Sequence, residues 1–227
     1  LLFLYAPTSD ITDDEKTIIE KYLSDGGKVY LILGDTTSDT PNLDGIMSDY
    51  GLKKVSGYIA DTQRCYQGNY YAIFPQLSLS GDLGSGISNQ MVLLLNSPGM
   101  EKTDTDNDNL TVTPFMQTSD SGYAVTENDQ TQGQYILGAV STNAISADSS
   151  DSDSEDEDDK SDATDTDTKT ARLTVLASAS MISSDITDQL TTLDNLTLFV
   201  NSVTENFDNV NNVAIEAKSL STETNTP

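Results

Sequence analysis

Any chemistry in this chain has to be done without an imidazole. There is no histidine, a single cysteine (Cys65), no tryptophan, and 37 aspartates and glutamates. Ser-His-Asp hydrolysis fails for want of its base. Amidotransferase-type catalysis needs a nucleophile at a tight strand-to-helix turn and a histidine to activate it, and Cys65 occupies no such turn. A lone thiol excludes an intramolecular disulfide and reads as an inert, half-buried residue. Carboxylate pairs remain for acid–base work, but with so many acids such pairs arise by chance and none stands out. A sugar-stacking platform would have to rely on tyrosine.

Phosphate and metal motifs fare no better. Gly81-Asp82-Leu83-Gly84-Ser85-Gly86 is glycine-rich, yet it lacks the spacing and the lysine of a phosphate-cradling loop and reads as a flexible turn. Asp104, Asp106 and Asp108 stand at the first, third and fifth places of a calcium loop. The sixth place is Asn109 instead of glycine and the twelfth is Phe115 instead of a bidentate glutamate, so the pattern fails where geometry is most demanding. No cofactor, no metal site and no catalytic residue is expected.

One set of polar residues does have a topological reason to converge. Open parallel sheets bind ligands beyond the carboxyl ends of their strands. Thr8, Ser9, Asp10, Asp35, Thr36, Ser178 and Ser180 follow three apolar runs and form the candidate crevice, suited to a neutral or cationic solute or to a partner's loop. The competing reading is that they cap the helices that follow.

The elements that would position these residues are plainest at the start. Leu1–Tyr5 is an apolar run; Thr12 and Glu15 fit a capping box; Ile18, Ile19, Tyr22 and Leu23 recur at helical spacing. Gly26-Gly27 ends that helix, and Lys28–Leu33 is a second apolar run. Strand, helix, strand is a βαβ unit with parallel strands. A second helix follows Pro41-Asn42, carrying Leu43, Ile46, Met47 and Tyr50 to Gly51, and Val55–Ala60 reads as a third strand. This alternation predicts an α/β fold with a doubly wound, mostly parallel sheet of the flavodoxin or glutamine-amidotransferase-like kind, with additional strands. Strands are also expected over Tyr70–Phe74, Met91–Leu95, Leu110–Met116 and Gln134–Val140, the last two with one wet face. Arg172–Ala177 reads as a strand, Thr191–Val203 as a helix, and Asn209–Ala217 as an edge strand.

Residues 146–170 are almost wholly Ser, Asp, Glu and Thr, too polar to offset the cost of ordering, so a disordered acidic insert is expected there. The domain is expected to run from residue 1 to 217, with 218–227 as a tail or linker. Net charge is −26. Such a surface repels nucleic-acid backbones and anionic lipid headgroups. The opening apolar run is too short, and lacks the basic flank, to be a signal peptide or a membrane span; any anchor is expected to lie outside these residues.

The stretch Ala6-Pro7-Thr8-Ser9-Asp10, then Glu15, Tyr22-Leu23, Gly26-Gly27 and a hydrophobic strand, resembles the gliding-motility type (GldG-like) ABC transporter auxiliary proteins. Pro41-Asn42-Leu43, Tyr50-Gly51-Leu52, Arg172–Leu176, Asp194-Asn195 and Phe199-Val200-Asn201-Ser202 continue the resemblance over about half of the chain. The acidic insert departs from the family's shorter polar loop. The resemblance implies a non-catalytic accessory domain on the extracytoplasmic face of the cell membrane, anchored by transmembrane segments outside this chain. It would work beside a permease and an ATPase and contact them, a sister auxiliary subunit or the cargo. The alternative is a solute-binding module that uses the crevice.

Overall fold

The computed structural model describes residues 1–34, 39–145 and 169–207. Its first unit is the expected one: β1 (Leu2–Tyr5), α1 (Asp13–Ser24) and β2 (Lys28–Ile32), with β1 and β2 parallel. Thr12 and Glu15 close a reciprocal capping box at the start of α1, satisfying amides that the first helical turn leaves free. The helix ends where Gly26 takes a φ of 88°, a left-handed conformation that costs glycine little. Tyr30, Leu31 and Ile32 on β2 are fully buried, each contributing about 2 kcal/mol by removal from water. Successive strand residues face opposite ways, so both faces of β2 are covered.

α2 (Pro41–Asp49) follows, and its predicted stop is present: Tyr50 caps the helix and Gly51 has a φ of 71°. The next strands leave the parallel arrangement. β3 (Leu52–Lys54) pairs antiparallel with β9 (Met100–Lys102), and β4 (Tyr58–Asp61) belongs to a separate sheet. The expected third parallel strand at Val55–Ala60 is therefore incorrect. That place is taken by β14 (Lys169–Leu176), which runs parallel to β2 from the far end of the described chain.

Between them lie β5 (Cys65–Tyr66), β6 (Asn69–Ile73), β7 (Gln76–Leu77), β8 (Leu94–Leu95), β10 (Leu110–Gln117), β11 (Gly122–Val125), β12 (Gln130–Gly133) and β13 (Ile136–Ile145). The main sheet has eight strands, with the path β1-β2-β14-β13-β10-β7 and with β9 and β3 attached beside β13. Only β1, β2 and β14 are parallel; the other pairings are antiparallel. The fold is thus mixed α/β, and a mostly parallel sheet is corrected. The physical reason is the length of the connections: β13 and β10 pair as long antiparallel ladders, which need no crossover helix. Two small antiparallel sheets, β12-β11-β4 and β5-β6-β8, flank the main one.

Only two residues of the expected Met91–Leu95 strand pair as strand, in β8. The wet face expected on Gln134–Val140 is absent, because Ile136–Ser141 is buried on every side chain. The acidic stretch is shorter than read, since Lys169 and Thr170 already belong to β14. Residues 146–168, the predicted strand at Asn209–Ala217 and the tail at 218–227 lie outside the described residues.

After β14 come α3 (Ser184–Thr187) and α4 (Asn195–Thr204). α4 lies on the face from which Tyr30, Arg172 and Thr174 project. Tyr30 Oη and Ser202 Oγ share a hydrogen bond of 2.6 Å, Arg172 donates to the carbonyl and carboxylate of Glu205, and Thr174 donates to Asn206. Among the described residues no helix is long and apolar enough to cross a membrane.

Candidate functional site

The crevice expected at the carboxyl ends of the parallel strands requires crossovers that diverge from a shared point. Here the strand order runs β1-β2-β14 without reversing, so the described residues form no such switch point. Backbone fills the space instead. Ala6 adopts a φ of 41° at the end of β1, carrying Pro7 over the end of β2. A Cβ on Gly34 would collide with the Pro7 carbonyl and come within 2.8 Å of the Ala6 carbonyl carbon. Only glycine permits that approach.

The predicted residues are used internally. Asp10 accepts from the amides of Asn42 (2.8 Å) and Leu43 (3.1 Å), so it caps α2, whose own N-cap Thr40 makes no side-chain cap bond. Asn42 in turn donates to the Ile11 carbonyl and to Asp13. Ser178 and Ser180 share a 2.8 Å hydroxyl bond, and Ser180 Oγ accepts from the Leu95 amide at 2.9 Å. This pair ties the end of β14 to β8. Thr8 and Ser9 are exposed. Asp35 and Thr36 lie outside the described residues. The structure thus brings Asp10 to one anchor point and Ser178 and Ser180 to another.

Hollows lie elsewhere. One of about 430 Å³ sits at the amino ends of the parallel strands, lined by Asp25, Lys28, Lys169, Arg172 and Glu205 among others. Another, of about 540 Å³, lies between the two small sheets against Tyr58, Tyr71, Asn96 and Val125. A third, near 250 Å³, is bordered by Glu20, Asp49 and Tyr50. There, burial and the nearby charge of Glu20 raise the Asp49 carboxyl above its ordinary range, with Lys16 opposing. Among the described residues no three His, Cys, Asp or Glu side chains gather to hold a metal ion. Asp104, Asp106 and Asp108 are all exposed.

Sequence reasoning missed the polar groups that carry the most structural weight. Asp61 is fully buried. It accepts from the amides of Gln63 and Arg64 and from both the amide and the hydroxyl of Ser119. Burial pushes its carboxyl upward, but the donors from Ser119, Arg64 and Gln63 outweigh that and hold it below the usual carboxylate range. Asp194 accepts from the amides of Ser88, Asn89 and Met91. Asn195 accepts from the Leu93 amide and donates to the carbonyls of Leu93 and Met181. Asn201 donates to the Leu83 and Ser85 carbonyls, pinning the glycine-rich stretch expected to be a flexible turn. The available signal was an Asp-Asn pair at a helix start, and it gave no clue to the partners, which lie about a hundred residues away.

No family model and no curated protein matches the chain. Among solved structures, the "mmIFT52 N-terminal domain" superposes with a TM-score of 0.57 at 12% identity, covering 93% of this chain and 80% of that one. At that identity the likeness speaks to fold alone, and it agrees with one mixed α/β arrangement running through nearly the whole chain.

Proposed function

We propose that this chain is a non-catalytic accessory domain that works by contacting other proteins. In this reading it stands on the extracytoplasmic side of a membrane, beside the permease and ATPase of an ABC transport system. The observation that carries the reading is the fate of the crevice residues. Asp10, Ser178 and Ser180 are held in internal hydrogen bonds, so these three have polar groups already engaged where a solute-binding module would need open donors and acceptors. The segments that resemble the GldG-like proteins fall on the turn after β1, α1, β2 and α2 and, past the intervening strands, on β14 and α4. The transport context rests on that resemblance. We further read the parallel trio, with α1 and α4 packed against it, as the flavodoxin-like part of the fold, lacking the reversal of strand order that a doubly wound sheet has.

The test is purification of the protein from its native membrane, with bound subunits identified by mass spectrometry. A permease and an ATPase in stoichiometric amounts are expected; recovery without any transporter subunit would overturn the reading. A solute that raised the melting temperature in a concentration-dependent way would favour the solute-binding alternative, because selective binding stabilises the folded state.

A further inference from the structure

Among the described residues β1 is one edge of the main sheet, and its chemistry is unusual for an edge. Alternate residues of a parallel strand send both backbone groups to the same neighbour. The Ala6 amide donates to the Ile32 carbonyl at 3.0 Å, so residues 2, 4 and 6 serve β2. Phe3 and Tyr5 therefore direct their amides and carbonyls outward, where no strand pairs with them among the described residues. Proteins blunt such edges with charges, prolines or bulges, and Leu2-Phe3-Leu4-Tyr5 has none of these.

The side chains extend the same surface. Phe3 is 39% exposed and Tyr5 56%. Phe3 stacks on Tyr30 with centroids 5.1 Å apart and meets Phe199 edge-on at 6.4 Å, which joins the edge to α4. One turn apart on α4, Leu196 and Val200 are also exposed. Charge selects the occupant. The chain carries −26, so a second copy would add like charge to like charge. Beyond its carboxyl end, β1 leads into the first turn of α1, where Asp13 and Asp14 are exposed.

We propose that β1 is a docking edge that takes an extended, alternately apolar segment of another protein, flanked by lysine or arginine, as an added strand. This deepens the protein-contacting reading and rests on it. The added strand would pair with the outward groups of Phe3 and Tyr5, lay apolar side chains beside theirs, and bring its basic flank to the Asp13–Asp14 end.

The probe is a synthetic Val-Thr repeat peptide with two lysines at each end, titrated into isotopically labelled protein. Binding is expected with the largest amide shifts at Phe3 and Tyr5. A peptide of equal charge interrupted by proline is expected to bind at least tenfold more weakly; equal binding by the two would mean charge attraction only and would overturn the proposal. Tyr5→Pro removes one outward amide and leaves the β2 ladder intact; it is expected to weaken binding at least tenfold, while Tyr5→Ala, which keeps the amide, costs less. Undiminished binding by a folded Tyr5→Pro protein, or shifts elsewhere in the unaltered protein, would refute the assignment. Sedimentation showing a dimer that Tyr5→Pro abolishes would assign the edge to a second copy and overturn it too. Transporter subunits that co-purify equally with Tyr5→Pro would sink this proposal and leave the accessory reading standing. Peptide pairing at β1 without transporter subunits would do the reverse.

Discussion

The β1-α1-β2 unit and the body built around β4, β8 and α4 place their polar residues by different rules. In the first, anchors span at most one βαβ step: Thr12 answers Glu15 three residues away, and Asp10 reaches past α1 and β2 to the start of α2, 32 residues on. They sit on half-exposed ground. In the second, Asp61 and Asn195 are buried and grip segments about sixty and a hundred residues distant. One region is assembled from locally determined pieces, and the other is closed by a few buried polar latches. A buried donor left without its partner costs far more than an exposed one, so the latches should dominate stability even though the helix caps are easier to see.

The largest effect should come from Asp61→Ala. It leaves three backbone amides and a hydroxyl without their acceptor, the Ser119 pair buried and the Gln63 and Arg64 amides half-buried, and a loss of about 3 kcal/mol in urea unfolding is expected from the cost of unsatisfied buried groups. Acid should reproduce part of it. The folded carboxyl titrates below its unfolded value, near 4 for aspartate, so its contribution is complete above about pH 4 and disappears as pH falls through the depressed folded value. The stability gap between the parent protein and Asp61→Asn should therefore narrow below about pH 4. A gap that stays constant down to pH 2 would mean the carboxylate's charge is irrelevant to the latch.

Next in size is Asn195→Ala, which leaves the Leu93 amide and the carbonyls of Leu93 and Met181 without their partner. A loss of about 2 kcal/mol is expected on the same grounds. Hydrogen exchange should localise the damage to residues 88–95 and the start of α4, while the amides of β1 and β2 keep their protection. Equal loosening of β1 and β2 would erase the distinction between the two regions. Tyr30→Phe comes third, at about 1 kcal/mol for one buried hydroxyl bond. It removes the 2.6 Å contact with Ser202 by which α4 holds the parallel trio, and should lower the thermal midpoint without altering the ring stack on Phe3.

The same division explains what could be read from the sequence. α1, β2 and α2 were legible because periodicity, a capping box and terminal glycines act within a few residues. β10, β13 and β14 were legible as strands but not as neighbours, since pairing is fixed by contacts distant in sequence. Val55–Ala60 misled for that reason: β4 is a strand, but Tyr58–Asp61 pairs with β11 and not with β2. The candidate crevice was deduced from a parallel topology that the sheet has only in part. The latches were invisible because an Asp61 that will be buried looks, in a chain of 37 acids, like any exposed one.

The smallest expected effect tests the local half of the comparison. Asp10→Ala removes the acceptor for the Asn42 and Leu43 amides, and losing a helix cap costs about 1 kcal/mol. The residue is only partly buried, so water can take over the freed amides in part, and the loss should fall below that of Asn195→Ala. Thr12→Ala should cost less again, because Thr12 and Glu15 are both exposed and water replaces their bonds. The two caps serve different helices, α2 and α1, yet they are bridged by Asn42, which donates to both Ile11 and Asp13. The double variant should therefore depart from the sum of the two single losses, since sites that share a partner couple. Strict additivity in urea unfolding would mean that α1 and α2 are capped independently, and that the first region is even more local in its construction than its hydrogen bonds suggest.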